Sequence, residues 1–304
     1  MLSCRMKIAA CAGLVAATFL FSSIAIPMKS LGETASGQIA FVREGARHGI
    51  YTIDPSTAIV TRLTNGEDYR PRWSPDGTRI VFQRFFSGPE WLQSDLFLMN
   101  ADGPGLQRLT DLGTAFHPAW SPEGSKIVFG SGHGRASEIF VMNADGTDQV
   151  RLTHNRFADT VPAWSPDGTT IAFASGPHRN VDIYLMASDG SDVRRLTHVR
   201  AKDENPDWSP DGSRLVFQSN RGNRHYDADL YSISPSGLGI ERLTTSPASE
   251  WAPAWSPDGM RIAFTTANYR TGVEDIAILT LGSPVITRFV YPNSIELEPD
   301  WQPA

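Results

Sequence analysis

Beyond residue 36 the chain is written in short apolar runs separated by turn-forming residues, with no sustained helical period. Four kinds of run recur in order. The first ends on a tryptophan, as in Val161-Pro162-Ala163-Trp164. The second is an apolar-x-Phe run: Ile39-Ala40-Phe41, Ile80-Val81-Phe82, Ile127-Val128-Phe129, Ile171-Ala172-Phe173, Leu215-Val216-Phe217 and Ile262-Ala263-Phe264. The third resembles Asp182-Ile183-Tyr184-Leu185-Met186, and the fourth ends Arg-Leu-Thr, at Arg62, Arg108, Arg151, Arg195 and Arg242. Alternation, β-branched and aromatic enrichment and regular turns predict a strand for each run.

The turns are as regular as the strands. Trp-Ser-Pro-Asp-Gly begins at Trp73, Trp164, Trp208 and Trp255, with a near copy at Trp120 and a truncated one at Trp301, so successive tryptophans stand 44 to 47 residues apart. That period suits one four-stranded propeller blade. Pro presets φ and Gly supplies positive φ in the first turn, and an Asp-Gly turn joins the third and fourth strands. Residues 37 to 64 supply a second, third and fourth strand without a first, and Glu298-Pro299-Asp300-Trp301 supplies a first strand alone. The expected fold is therefore all-β: a six-bladed β-propeller over residues 37–304, closed by the C-terminal strand pairing with the N-terminal blade, which leaves no long exposed edge.

Residues 1–36 differ. Arg5 and Lys7 precede an apolar run from Ile8 to Pro27, which predicts a secretory signal, or a membrane tether through residues 8–27 if it is not cleaved. Both cysteines, Cys4 and Cys11, lie here, so the exported domain is expected to hold neither disulfide nor thiol nucleophile. Setting Arg5, Lys7, Lys29 and Glu33 aside from 27 basic and 33 acidic residues leaves 24 against 32. Such an acidic domain repels phosphate backbones and argues against nucleic acid as a partner.

Trp-Ser-Pro-Asp-Gly, the apolar-x-Phe strand, the Met-Asn-Ala-Asp-Gly turn and Arg-Leu-Thr together resemble the TolB-like propeller repeat, across residues 37–304. The resemblance is to a stand-alone propeller, expected to lack the separate α/β domain that precedes the propeller in TolB. The resemblance implies a periplasmic or secreted location and a protein partner in the cell envelope.

Strand order places the two tight turns on one face and the longer, variable loops on the other, where binding is expected. All seven histidines map to that loop face. An acid stands three residues before the strand proline at Asp68, Asp159, Asp203, Glu250 and Glu296, and these carboxylates are expected to ring the channel mouth; local capping or pairing with an arginine is the plainer alternative. Arg70, His117, Val161, Asn205, Ala252 and Glu298 immediately precede the prolines and differ from blade to blade, which makes them the better pocket candidates. Phe85, Phe86 and Trp91 in one loop, and Arg221, His225 and Tyr226 in another, are candidate interface anchors. The expected function is a non-catalytic binding scaffold that needs no cofactor. Two alternatives stand beside it. One is an enzyme like the sugar-acid lyases of similar propellers, with a divalent metal in the channel on His117, Glu298 and Asn205. The other is carbohydrate binding through Trp91, Tyr69, Trp251 and the channel acids. No G-x-S-x-G elbow occurs.

Overall fold

The computed structural model describes residues 37–87, 92–133, 136–177, 179–222, 227–268, 272–283, 285–291 and 294–303. The N-terminal segment, Trp91, His225 and Tyr226 lie outside them. No helix among the described residues is long and apolar enough to cross a membrane.

Six four-stranded antiparallel sheets follow one another as blades. Blade 1 is completed by the far end of the chain. Ile295–Trp301 pairs with Ile39–Glu44 in the register Ile39↔Trp301 and Val42↔Leu297, and the Gln302 amide donates to the Gln38 carbonyl at 2.8 Å. The innermost strands are Ile295–Trp301, Asp68–Trp73, Ala115–Trp120, Ala158–Trp164, Asp203–Trp208 and Ser249–Trp255 for blades 1 to 6.

Burial explains the repeated apolar residues. Phe41, Phe82, Phe129, Phe173, Phe217 and Phe264 are fully buried, and each tryptophan wedges against the preceding blade. Trp73, for example, packs with Ala40 and Ile50 of blade 1 as well as Ile80, Phe82 and Met99 of its own blade. Trp120 and Trp208 also donate their indole N–H to a carbonyl of the previous innermost strand, at Arg72 and Ala163.

The polar repeats are structural too. In the Ser-Pro-Asp-Gly turn, Ser74 Oγ donates to Asp76 Oδ1 at 2.5 Å and accepts the Arg79 amide at 2.9 Å, while Gly77 takes φ +65°. The Ser74 bond, together with those from the Thr78 amide and hydroxyl, holds the Asp76 carboxyl down to about 2. The Arg-Leu-Thr motif clamps the outermost strand onto its neighbour. Thr110 Oγ1 accepts the Leu96 amide (3.0 Å) and donates to buried Asp95 (2.6 Å), which also takes Arg108 Nη2 at 2.6 Å. The same set recurs at Glu138 with Thr153 and Arg151. The buried third-strand acids Asp182 and Asp229 pair likewise with Arg195 and Arg242.

Candidate functional site

Every innermost strand carries a bulge at the same place. In blade 2 Tyr69 faces Gln83 and Arg72 faces Val81, so Arg70 and Pro71 together oppose one residue. The residue before the proline adopts left-handed backbone in all six blades: Arg70, His117, Val161, Asn205, Ala252 and Glu298, with φ between 49° and 56°. Left-handed backbone at a non-glycine residue is strained, and a following proline restricts it further. The bulge takes these residues out of the ladder, so their amides need other acceptors. The Arg70 amide finds Glu298 Oε2 (2.8 Å), the Ala252 amide Gln218 Oε1 (3.1 Å) and the Glu298 amide Thr265 Oγ1 (2.9 Å).

Three of the candidate residues form one network. Arg70 Nε meets Glu298 Oε1 at 2.7 Å, with both side chains about nine-tenths buried, and Arg70 Nη1 donates to Asn205 Oδ1 at 2.8 Å. Asn205 Nδ2 donates onward to Gln218 Oε1 at 2.6 Å. Blades 2 and 5 stand opposite each other in a ring of six, so the Arg70–Asn205 bond spans the channel. His117 lies beside this bridge, half-buried, with its Nδ1 buried and without a hydrogen-bond partner. Burial, reinforced by the charges of Arg70 and Arg72, holds its pKa well below 6.5, which keeps the imidazole neutral at physiological pH. The bridge engages both proposed co-ligands of His117: Glu298 and Asn205 turn to Arg70.

Above the bridge, on the loop face, a cavity of about 360 Å³ is lined by Arg70, His117 and Glu298 together with Tyr69, Phe85 and Phe116. Tyr69 donates to Glu44 at 3.0 Å, and burial pushes its pKa up. Phe85 packs edge-on against Tyr69, and Phe116 edge-on against His117. Below the bridge, towards the tight turns, lies a second cavity of about 210 Å³. Here Arg72 Nη1 pairs with Asp300 at 2.9 Å, while Asp300 and Asp207 accept the Trp73 and Trp255 amides from the following blades at 2.8 and 2.7 Å. Burial pushes Asp207 up to about 6 against the pull of Arg72. Sequence reasoning missed this layer. Its signal was the residue before each tryptophan, alanine in three blades but Arg72, Asp207 and Asp300 in the others.

Two expectations are corrected. Asp68, Asp159, Asp203, Glu250 and Glu296 do not ring the channel mouth; all five are fully buried inside the blades. Each stands opposite a polar second-strand residue: Arg84, Ser175, Ser219, Thr266 and Arg43 respectively. Asp68 is held bidentately by Arg84 (2.5 and 2.8 Å) and Glu296 by Arg43 (2.8 Å). Arg221 is no protruding anchor either. It turns inward onto Asp203 and lies over the rings of Phe217 and Tyr231. Phe85 lines the upper cavity, and Phe86 lies under the Arg108 guanidinium. Among the described residues no group of three or more His, Cys, Asp or Glu is placed to hold a metal ion.

A family model, the tricorn protease N-terminal β-propeller domain, matches residues 135–238. No curated protein matches the chain in sequence. Among solved structures, TolB from Acinetobacter baumannii is similar at 20% identity and TM-score 0.77, over 88% of this chain and 67% of that one. A TolB from Agrobacterium tumefaciens aligns at 21% identity and TM-score 0.67, over 88% and 92%. An oligogalacturonate lyase from Vibrio parahaemolyticus aligns at 16% identity and TM-score 0.56, over 81% and 72%. In fold, the chain is a TolB-like six-bladed β-propeller.

Proposed function

We propose that this chain is an exported, non-catalytic scaffold of the cell envelope that holds a protein partner on its loop face, with the partner's contact centred on the upper cavity. The observation that carries the reading is the bridged channel. Arg70, Glu298 and Asn205 satisfy one another, and Arg72 is satisfied by Asp300, so the groups that line the channel act as braces. What they leave open is a preformed, aromatic-walled recess on the elaborated face, the kind of pocket that receives an anchoring side chain. Export rests on the N-terminal segment and on the likeness to TolB.

A photo-crosslinking amino acid at Phe85, on the cavity, and another at Val193, exposed on the tight-turn rim, test this in cells. A discrete protein adduct from Phe85 and none from Val193 is the expected result. Adducts from Val193 alone would overturn it. The recess also favours a second reading, binding of a sugar acid, because Tyr69 and Phe116 offer stacking faces beside Arg70 and His117. A rise in melting temperature with oligogalacturonate, removed by His117→Ala, would favour that reading.

A further inference from the structure

The two loops that flank blade 4 share a Thr-His-x-Arg start found at no other blade junction, in Thr153-His154-Asn155-Arg156-Phe157-Ala158 and Thr197-His198-Val199-Arg200-Ala201-Lys202. Neither holds an acid, and the blade 4 loop between them, residues 176–181, adds Arg179 and again no acid. The structure joins the ends of these segments on the loop face. Ala158 pairs with Gly176, Val181 bridges Lys202, the Asp203 amide donates to the Val181 carbonyl at 2.9 Å, and the Lys202 amide donates to Asn220 Oδ1 at 2.8 Å.

Arg156, Arg179 and Arg200 are exposed and Lys202 is half-exposed; among the described residues none of the four is in an ion pair. The acids nearest in sequence cannot neutralise them. Asp159, Asp182 and Asp203 are buried and bonded to Asn155, Arg195 and Arg221. Apolar side chains interrupt the charges. Phe157, held in an Asx turn by Asn155, is 38% exposed and Val199 is 49% exposed. A domain with eight more acids than bases thus carries one arc of uncompensated positive charge, on the face already proposed to bind.

We infer that this arc docks an acidic, extended protein segment whose apolar residues meet Phe157 and Val199. The inference rests on the scaffold reading and names the chemistry of its partner. Charge complementarity selects the occupant. A broad anionic surface, such as a bilayer, would also meet exposed Asp111 on the adjoining loop and Glu67 across the same face, whereas a single strand follows the arc and avoids them. Its encounter is steered by a field that fades beyond about 10 Å at 0.1 M salt and about 3 Å at 1 M.

The test is fluorescence anisotropy of the full chain with a labelled nonapeptide that intersperses glutamate with leucine and phenylalanine. A second peptide with glutamine for every glutamate serves as control. The expected result is at least tenfold preference for the acidic peptide, lost at 0.5 M salt and in Arg156→Glu/Arg200→Glu. Lys126→Glu, on the tight-turn face, retains it, and equal melting temperatures show that both variants fold. Equal binding of the two peptides, or no effect of the double reversal, overturns the inference. So does arginine-dependent binding of phosphatidylglycerol vesicles without peptide binding, or arginine-dependent self-association. Crosslinks at Phe85 with no peptide binding would fell the arc alone. Peptide binding with no cellular adduct at Phe85 would fell the scaffold reading and leave the arc.

Discussion

Arg70→Met removes the channel bridge at its centre. The guanidinium gives one bond to Glu298 and one to Asn205, and the Glu298 carboxylate is left behind about nine-tenths buried. Stranding a buried charge costs about 3–5 kcal/mol. Glu298 keeps the Arg70 backbone amide on its other oxygen and some contact with channel water, which lowers the expected loss to about 2–3 kcal/mol. At about 2–4 °C per kcal/mol for a domain of this size, the midpoint falls by about 5–10 °C. Glu298→Gln alone strands the arginine and costs about 2 kcal/mol by the same reasoning. The double variant strands neither, and its cost of about 2 kcal/mol falls short of the sum by about 2–3 kcal/mol. Guanidinium melts of the four proteins at pH 7, with equal m-values, measure that coupling. Additivity within about 0.5 kcal/mol would show that the pair is incidental and that the bridge does not brace the ring.

Three further outcomes are expected. Asp207 has its neutral form favoured by burial, so its contribution to stability is present at low pH and is lost as pH rises from about 4 through about 6; a rise from 3.8 to about 6 corresponds to at most about 3 kcal/mol, or about 1–2 after allowance for partial exposure. Asp207→Asn should therefore add about 1–2 kcal/mol at pH 7 and nothing at pH 4, and an equal gain at both, in denaturant melts, would contradict the assignment. A Cβ on Gly130 would sit 2.3 Å from the Phe116 ring, so Gly130→Ala should cost about 1–3 kcal/mol and shift the His117 ring resonances in NMR. Ala252 sits at φ 49° with its methyl buried, and Ala252→Gly, which relieves the strain but removes that methyl, should change thermal stability by less than about 1 kcal/mol; a fall of about 1.5 kcal/mol or more would show that the bulge is not strained.

The architecture was legible because it is periodic. Tryptophan spacing, the turn chemistry and the split blade gave the blade number and the closure, and Ile295–Trp301 does pair with Ile39–Glu44. The pocket was partly legible. The variation before the prolines pointed to Arg70, His117 and Glu298, which share one cavity. The acids were expected at the channel mouth because the first strands are innermost, but the plainer alternative of arginine pairing holds for Asp68, which stands in the regular ladder opposite Arg84 before the bulge begins. Arg221 was misjudged because a loop arginine reads as exposed until its partner, Asp203, is known to lie behind it. The Arg70–Asn205 bond was in principle available, because positions three repeats apart face each other across a six-fold ring.

The six bulges have a consequence for how such a ring diversifies. Left-handed backbone at non-glycine residues costs about 1–2 kcal/mol each, so six amount to about 6–12 kcal/mol, comparable to the whole net stability of an ordinary domain. Glycine at each position would relieve it, yet Arg, His, Val, Asn, Ala and Glu stand there, including a β-branched residue at Val161. The scaffold behaves as a combination lock with linked tumblers: no cross-strand neighbour dictates each residue, yet Arg70, Glu298 and Asn205 hold one another across the channel, so resetting one changes what the others must pair with. New specificities at the mouth are then reached by concerted changes at the linked positions, while the phenylalanine layer inside the blades is untouched.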